Sequence, residues 1–269
     1  MSNDSPYSSS PTAADAPTNP VRQVIAAQGT IIGPWVLTKD PGTVAVLAAT
    51  AVDFLVFDCQ HGPHDLATVG PLLRAAAAQG KPTLLRVPSA DSWIIMRALD
   101  LGAAGVIVPM VSSAAEAESA RAATRYPPLG ERSYGPLQPA PGDVFDPQDG
   151  PMIFVMIENA SGLDAVREIA AIDGIDGLFI GPVDLALGIG AMDDGDLRGA
   201  LASPLLAEAT AAIAAAASAS GKLLAGAVFS PDHARGMAGA GMRLHVLGTD
   251  AGWLTTAAAE LVRLGDELR

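Results

Sequence analysis

One cysteine, Cys59, stands in 269 residues. That excludes a disulfide framework within the chain and a cysteine-rich metal centre. The usage fits a reducing compartment, and the cytoplasm is the expected location. Basic residues are also scarce: 16 Lys and Arg face 29 Asp and Glu, a formal net charge of −13. Nucleic acid and anionic membranes need a positive surface, so neither is an expected partner. A small anionic substrate stays open, because one arginine or metal ion reverses the field inside a pocket. No run of 18 or more apolar residues lacks polar breaks, so no membrane span is expected. Even the alanine-rich stretch 207–220 is interrupted by Glu208, Thr210, Ser218 and Ser220. The first residues lack the basic start and apolar middle of a signal peptide. Residues 1–20, rich in Ser, Pro and Ala, read as a disordered tail, and 21–269 as one domain of barrel size.

Short apolar runs alternate with longer helical stretches over the rest of the chain, which predicts a parallel sheet. Eight strands are expected near 31–37, 53–57, 83–86, 105–109, 152–157, 177–180, 223–229 and 244–247. Helices are expected near 42–50, 66–79, 92–101, 114–126, 162–171, 204–220, 231–240 and 255–268. Many of them start after Ser, Asp or Asn and stop near Gly. Eight such units make an α/β chain of the (β/α)₈ (TIM) barrel class, whose chemistry sits at the carboxyl ends of the strands. The longest non-repetitive stretch, Tyr126–Gly150, is expected to be functional. It leaves from the bottom face, so it would have to wrap back towards a pocket in this or a neighbouring subunit.

Four of the apolar runs end in polar signals: Asp58 with His61, Arg86, Glu158, and Gly181-Pro182-Val183-Asp184. Glu158 and Asp184 close neighbouring strands, which lie about 4.8 Å apart. Two carboxylates there can share one divalent ion, and an all-oxygen pair suits Mg²⁺ or Mn²⁺, with Co²⁺ also admissible. Taken singly, each acid reads equally as a cap or an ion-pair partner. Asp58 is expected to orient the His61 imidazole and raise its basicity. His64, His233 and His245 read as structural. Arg86 can stabilise an oxyanion or hold a loop through an ion pair. Backbone N–H groups in the Gly181–Asp184 turn can bind a carboxylate. Trp35 walls the pocket or fills core, and Cys59 reads as a packed side chain. No lysine ends a strand: Lys81 and Lys222 each precede one, which disfavours a Schiff-base route.

Together these stretches resemble the HpcH/HpaI aldolase family, the metal-dependent (class II) pyruvate aldolases, of the 2,4-dihydroxyhept-2-ene-1,7-dioate aldolase kind. The landmarks are Gly33-Pro34-Trp35, Asp58-x-x-His61-Gly62-Pro63, Arg86-Val87-Pro88 and Leu99-Asp100-Leu101-Gly102-Ala103. They continue with Val108-Pro109-Met110-Val111, Arg125-Tyr126-Pro127-Pro128, Ile157-Glu158 and Gly174 to Pro182, and run from about Gly33 to about Leu264. The resemblance implies a barrel of the phosphoenolpyruvate/pyruvate-domain type with the last helix exchanged between subunits. It also implies a homo-hexamer, a trimer of dimers. Glu158 and Asp184 would bind the metal, His61 with Asp58 would manage the proton, and Arg86 would contact the keto or enolate oxygen. The amides of Val183 and Asp184 would hold the substrate carboxylate, and Asp100 would reach a neighbouring subunit's site. The implied reaction is reversible cleavage of a 4-hydroxy-2-oxo acid to pyruvate, or hydroxypyruvate, and an aldehyde, with no organic cofactor.

Some members carry Glu where Gln60 stands and Gln where Met156 stands, so a particular aldehyde specificity does not transfer. One alternative is an acyl-CoA lyase of the citryl- or malyl-CoA type. It would want basic residues for the CoA phosphates and usually a C-terminal lid, which this acidic chain does not show. A non-catalytic metabolite-binding barrel would be expected to lack one of His61, Arg86, Glu158 and Asp184, and all four are present.

Overall fold

Aliphatic runs buried on both faces cannot face water, so they pair with one another and are covered by helices. In the computed structural model, which describes residues 19–138, 145–146, 149–192 and 194–269, they close into a barrel. The strands are β1 (Ile31–Val36), β2 (Leu55–Asp58), β3 (Thr83–Arg86), β4 (Gly105–Val108), β5 (Met152–Ile157), β6 (Gly177–Ile180), β7 (Leu223–Val228) and β8 (Met242–Thr249). All eight pair in parallel and in sequence order, with β8 returning to β1. The (β/α)₈ expectation is met.

The helices are α1 (Pro20–Gln28), α2 (Pro41–Ala48), α3 (Gly70–Ala77), α4 (Ser92–Asp100), α5 (Ala114–Ala122) and α6 (Ala160–Asp164). They continue with α7 (Val166–Ala170), α8 (Pro182–Gly188), α9 (Leu197–Leu201), α10 (Pro204–Ala219), α11 (Pro231–Gly239) and α12 (Asp250–Glu267). Two apolar layers follow from the strand alternation. Val56, Leu84, Ile107, Phe154, Phe179, Ala225 and Leu244 fill the barrel interior. Leu55, Leu85, Val106, Val155, Leu178 and Leu224 face outward to the helices.

Most of the stretch read as a tail, residues 1–18, lies outside the described residues. Its last two residues are built into the fold. Asn19 is fully buried and caps α1, accepting from the Val21 amide and donating to the Ala104 carbonyl at 2.7 Å. Val21, with Val24 and Ile25 behind it, packs onto the interior cluster. The helix read over 162–171 is two short ones, α6 and α7, and the last helix begins at Asp250 rather than near 255. Thr249 caps it through the Gly252 amide, and the Asp250 carboxylate accepts from Leu37 and Thr38. Beyond Asp250, α12 leaves the barrel wall: Trp253, Leu254, Leu261, Val262 and Leu264 are all exposed. Among the described residues, no helix is long and apolar enough to cross a membrane.

Candidate active site

Strand alternation aims the chemistry. On β2 and β3, Val56 and Leu84 point into the barrel, so Asp58 and Arg86, two residues on, point the same way. On β5, Met152, Phe154 and Met156 point inward, so Glu158 follows them at the top. On β6, Phe179 points inward, and the chain then turns through Gly181 into α8 with Pro182 at its first position and Asp184 in its first turn. The result is one cavity of about 320 Å³ at the carboxyl ends of the strands. Trp35, His61, Arg86, Met156, Glu158, Gly181, Pro182, Val183, Asp184, Ala227 and Phe229 line it. A larger cavity of about 570 Å³ lies between α12 and the barrel, but it is apolar, with Asp250 its one charged residue. The chemistry belongs to the smaller one.

Glu158 is 1 % exposed. One carboxylate oxygen, Oε1, accepts from the Met110 amide at 2.7 Å, and the other, Oε2, is buried without a partner. Burial raises its pKa to about 7, and the Asp184 charge pushes the same way against the Met110 amide and Arg86. Gly181 is required beside it, because a Cβ there would run into the Glu158 carboxylate and come within 3.0 Å of Met156 Cε. An orphaned carboxylate oxygen next to a second carboxylate is a poor arrangement for a bare protein and a good one for a hard divalent cation. The donor set fits such an ion. Among the described residues no three His, Cys, Asp or Glu side chains converge, so two protein ligands would leave positions for water and substrate.

Met110 contributes backbone, not side chain. Its φ of 58° is left-handed, uncommon for a residue with a Cβ, and its carbonyl accepts from Ser112 Oγ at 3.0 Å. Ser112 Oγ in turn accepts from Asn159, the residue after Glu158, which caps α6. These contacts hold the Met110 amide on Glu158. Nothing in a methionine side chain signals this role.

Asp58 takes a different part from the expected one. Its carboxylate is gripped by Arg86 in a two-pronged pair, Nε to Oδ1 at 2.8 Å and Nη2 to Oδ2 at 2.7 Å. Its contact with His61 is through the backbone amide, at 3.2 Å, alongside the Gln60 amide at 3.0 Å. The planar fork of Arg86 matches the carboxylate across paired strands, while His61 sits exposed at the mouth. Asp58 therefore shapes the loop and orients Arg86 rather than the imidazole. Burial works to raise the Asp58 pKa, but the Arg86 hydrogen bond and charge, with both amides, outweigh it and hold the group below the ordinary carboxylate value. Arg86 also lies 4.5 Å from the Trp35 ring centroid, and Trp35 meets Phe179 edge-on, so Trp35 is a pocket wall braced from below.

Asp100 stays apart from these residues. It ends α4, which runs back from the catalytic face, and it pairs with the buried Arg132 at 2.9 Å. Arg132 stands over Tyr126, 4.9 Å from the ring centroid. Within one chain the described part of the Tyr126–Gly150 segment adds nothing to the pocket, and 139–144 and 147–148 lie outside the described residues. His64 and His245 are buried and bond the Val36 and Met242 carbonyls, structural roles as expected. His233 packs its ring against Phe229. Cys59 is buried, and that burial with the charges of Asp58 and Asp65 pushes its thiol up to about 12, so it is no nucleophile. Ala227 and Phe229 line the pocket although the sequence offered no sign of it.

The Glu158 environment carries a signed pH effect. Between its ordinary value of 4.5 and about 7, the folded protein binds this proton more tightly than the unfolded chain does. Metal-free protein therefore loses stability as pH rises through that window, on the order of 3 kcal/mol from this group, and the loss is complete above it. Thermal unfolding of EDTA-treated protein between pH 5 and 8 reads the fall, and Glu158→Gln removes it. An equal fall in both proteins would place its source elsewhere.

A family model described as HpcH/HpaI aldolase/citrate lyase matches residues 32–257. The chain is 37% identical over 186 residues to the hydroxypyruvate/pyruvate aldolase of Roseovarius nubinhibens, covering 66% of this chain and 72% of the relative. It is 37% identical over 178 residues to the 5-keto-4-deoxy-D-glucarate aldolase of Klebsiella pneumoniae, covering 64% and 70%. A crystal structure of an HpcH/HpaI aldolase/citrate lyase family protein from Burkholderia cenocepacia superposes with a TM-score of 0.79 at 29% identity, covering 91% of this chain and 98% of the other.

Proposed function

The chain belongs to the HpcH/HpaI aldolase/citrate lyase family, and from that premise we propose that it is a divalent-metal-dependent aldolase. It reversibly cleaves a 4-hydroxy-2-oxo acid to pyruvate, or hydroxypyruvate, and an aldehyde. The observation that carries the reading is the partnerless Glu158 Oε2 beside Asp184, facing Arg86 across one cavity.

Glu158 and Asp184 would hold a Mg²⁺ or Mn²⁺ ion, which would supply Lewis acidity towards a 2-oxo acid and make its C3 protons more acidic. The protein's own groups do the rest. The Val183 and Asp184 amides, in the first turn of α8, have no partner within the helix and hold the substrate carboxylate. Arg86, with two N–H groups fixed on Asp58, turns its remaining N–H groups to the C2 oxygen, where negative charge develops. In cleavage His61 takes the C4 hydroxyl proton, directly or through water. The C3–C4 bond breaks, C4 leaves as the aldehyde carbonyl, the electron pair enters the C2–C3 enolate, and His61, directly or through water, returns the proton it took to C3. Trp35 and Met156 keep bulk water off the enolate. Pyruvate release from a 4-hydroxy-2-oxo acid, coupled to lactate dehydrogenase, tests the reading. Release with Mg²⁺ or Mn²⁺ that stops with EDTA is expected, and metal-independent release would contradict it.

The same reading makes the protein a homo-oligomer, a hexamer of paired barrels in which α12 crosses to a partner, and places Asp100 at a neighbouring subunit's site. It supports this that α12 exposes Leu254, Leu261 and Val262 at 65%, 73% and 61%. A helix so placed in a single chain leaves an apolar face open to water. Leu261→Asp with Val262→Asp is expected to shift the protein to smaller species in light-scattering chromatography. A monomeric wild type would contradict it. The reading locates the enzyme in the cytoplasm, where the one buried cysteine suits reducing conditions.

A further inference from the structure

We propose that Ser112 and Asn159 are positioning residues that make Glu158 a one-oxygen metal ligand, and that this favours Mg²⁺ and Mn²⁺ over Ca²⁺ at the site. The inference rests on the metal-dependent aldolase reading and extends it to two side chains behind the cavity. Neither Ser112 nor Asn159 lines it. Both act through the Met110 amide.

Met110, Ser112, Asn159 and Glu158 close a ring across the ends of β4 and β5. The Met110 amide donates to Glu158 Oε1 at 2.7 Å. The Met110 carbonyl accepts from Ser112 Oγ at 3.0 Å, and Ser112 Oγ accepts from Asn159 Nδ2 at 3.1 Å. Asn159 follows Glu158 in the chain, which completes the circuit. Met110 does not hold itself there, because its φ is 58° and its side chain is half exposed. A left-handed conformation in a residue with a Cβ persists only where its neighbours impose it. Those neighbours are fixed in turn. The Ser112 amide donates to Glu116 of α5 at 2.7 Å, and Asn159 Oδ1 accepts from the Gly162 amide at 2.7 Å. Between Met110 and Ser112, Val111 is fully buried in the outer core. Gly162 lets α6 come this close, since a Cβ there would run into the Val111 carbonyl.

The ring decides how Glu158 presents itself. Oε1 is committed to the amide, and Oε2 is left without a partner, on the side where a Gly181 Cβ would strike it. Glu158 therefore offers one free oxygen, with Asp184 the other acid in the cavity. That suits a small octahedral ion that keeps several waters, as Mg²⁺ does. Ca²⁺ takes about six to eight oxygens and is often chelated by both oxygens of one carboxylate. Released from the amide, Glu158 is able to turn both oxygens to the ion, which helps Ca²⁺ more than Mg²⁺ or Mn²⁺. Groups that orient a metal ligand from behind are worth about ten- to a hundredfold in metal affinity.

Mn²⁺ is a suitable probe, because its free aquo ion is read directly by electron paramagnetic resonance, and Ca²⁺ is titrated against it. Full-length protein, with no substrate present, is expected to bind Mn²⁺ at least about tenfold more tightly than Ca²⁺. Ser112→Ala removes both hydroxyl contacts and is expected to weaken Mn²⁺ by about tenfold or more, with Ca²⁺ weakened less, so that the preference narrows. Ser112→Thr keeps the hydroxyl and is expected to restore both affinities. Asn159→Ser keeps an uncharged cap on α6 but gives up the donor to Ser112, and it carries the same test if Ser112→Ala does not fold. Mn²⁺ affinity unchanged in Ser112→Ala, equal weakening of the two ions, or Ser112→Thr behaving as Ser112→Ala would overturn the proposal. Glu158→Gln separates the two levels. If wild type binds Mn²⁺ and Glu158→Gln does not, a failure in the Ser112 variants overturns only the positioning role. If the two bind Mn²⁺ alike, the metal site itself falls, and the positioning role with it.

Discussion

Glu158→Gln is expected to lower kcat/KM by about 10³-fold or more while leaving the fold intact and raising the stability of metal-free protein above pH 7. Glutamine has the same shape, and its carbonyl oxygen can still accept from the Met110 amide, so the β5 terminus keeps its anchor. What disappears is one of two anionic ligands. The charge that burial disfavours disappears with it, which is why stability and activity move in opposite directions. A residue that merely held the fold together would lose both. The check is steady-state kinetics with saturating Mg²⁺ beside thermal unfolding with EDTA at pH 8. Near-wild-type activity would remove Glu158 from the metal site.

Arg86→Lys is expected to lower kcat by about 10²-fold or more although the charge is kept. Lysine offers a point charge on a flexible stem, and it cannot grip both Asp58 oxygens while also presenting a donor to the substrate oxygen. Asp58 is buried, and its carboxylate accepts from Arg86 at 2.8 and 2.7 Å. Loss of the fork leaves that carboxylate poorly paired, so Arg86→Met should also cost about 3 kcal/mol of stability. Adding Asp58→Asn to Arg86→Met removes the stranded charge and should restore most of the stability without the activity. Denaturant unfolding of the two single variants and the double variant, with kinetics on each, reads both parts. If Asp58→Asn alone impairs catalysis as Arg86→Met does, orienting the arginine is the function of the pair. If Asp58→Asn is silent, the pair serves stability only.

Much of this was readable along the chain, for physical reasons. Strands buried on both faces leave uninterrupted apolar runs, so β3, β5 and β6 were read with the boundaries they have. Four of the eight runs lead into ionisable residues, Asp58, Arg86, Glu158 and Asp184, at the face where the barrel opens to solvent. That one regularity sufficed to gather Trp35, His61, Arg86, Glu158 and the Gly181–Asp184 turn, which share one cavity. Contacts across strands were not readable. Asp58 stands three residues from His61 in sequence, yet its carboxylate meets Arg86, because β2 and β3 pair in register. The Met110 amide was invisible because backbone donors leave no trace in residue identity. Helix α1 is absent from the sequence expectation although Val21, Val24 and Ile25 recur at helical spacing, because it follows directly on the Ser- and Pro-rich stretch that reads as a tail. The five extra residues at the start of α12 follow from the Thr249 cap, where Gly252 reads locally as a break.

The central claim is that this carboxylate pair and Arg86 form a site that enolises a 2-oxo acid. The most direct measurement is loss of the pyruvate methyl proton signal in D₂O by NMR, with no aldehyde present. The account predicts exchange with Mg²⁺ or Mn²⁺, none with EDTA, and none with Glu158→Gln. Exchange that survives both EDTA and Glu158→Gln, or no exchange with either metal at any pyruvate concentration, would contradict it.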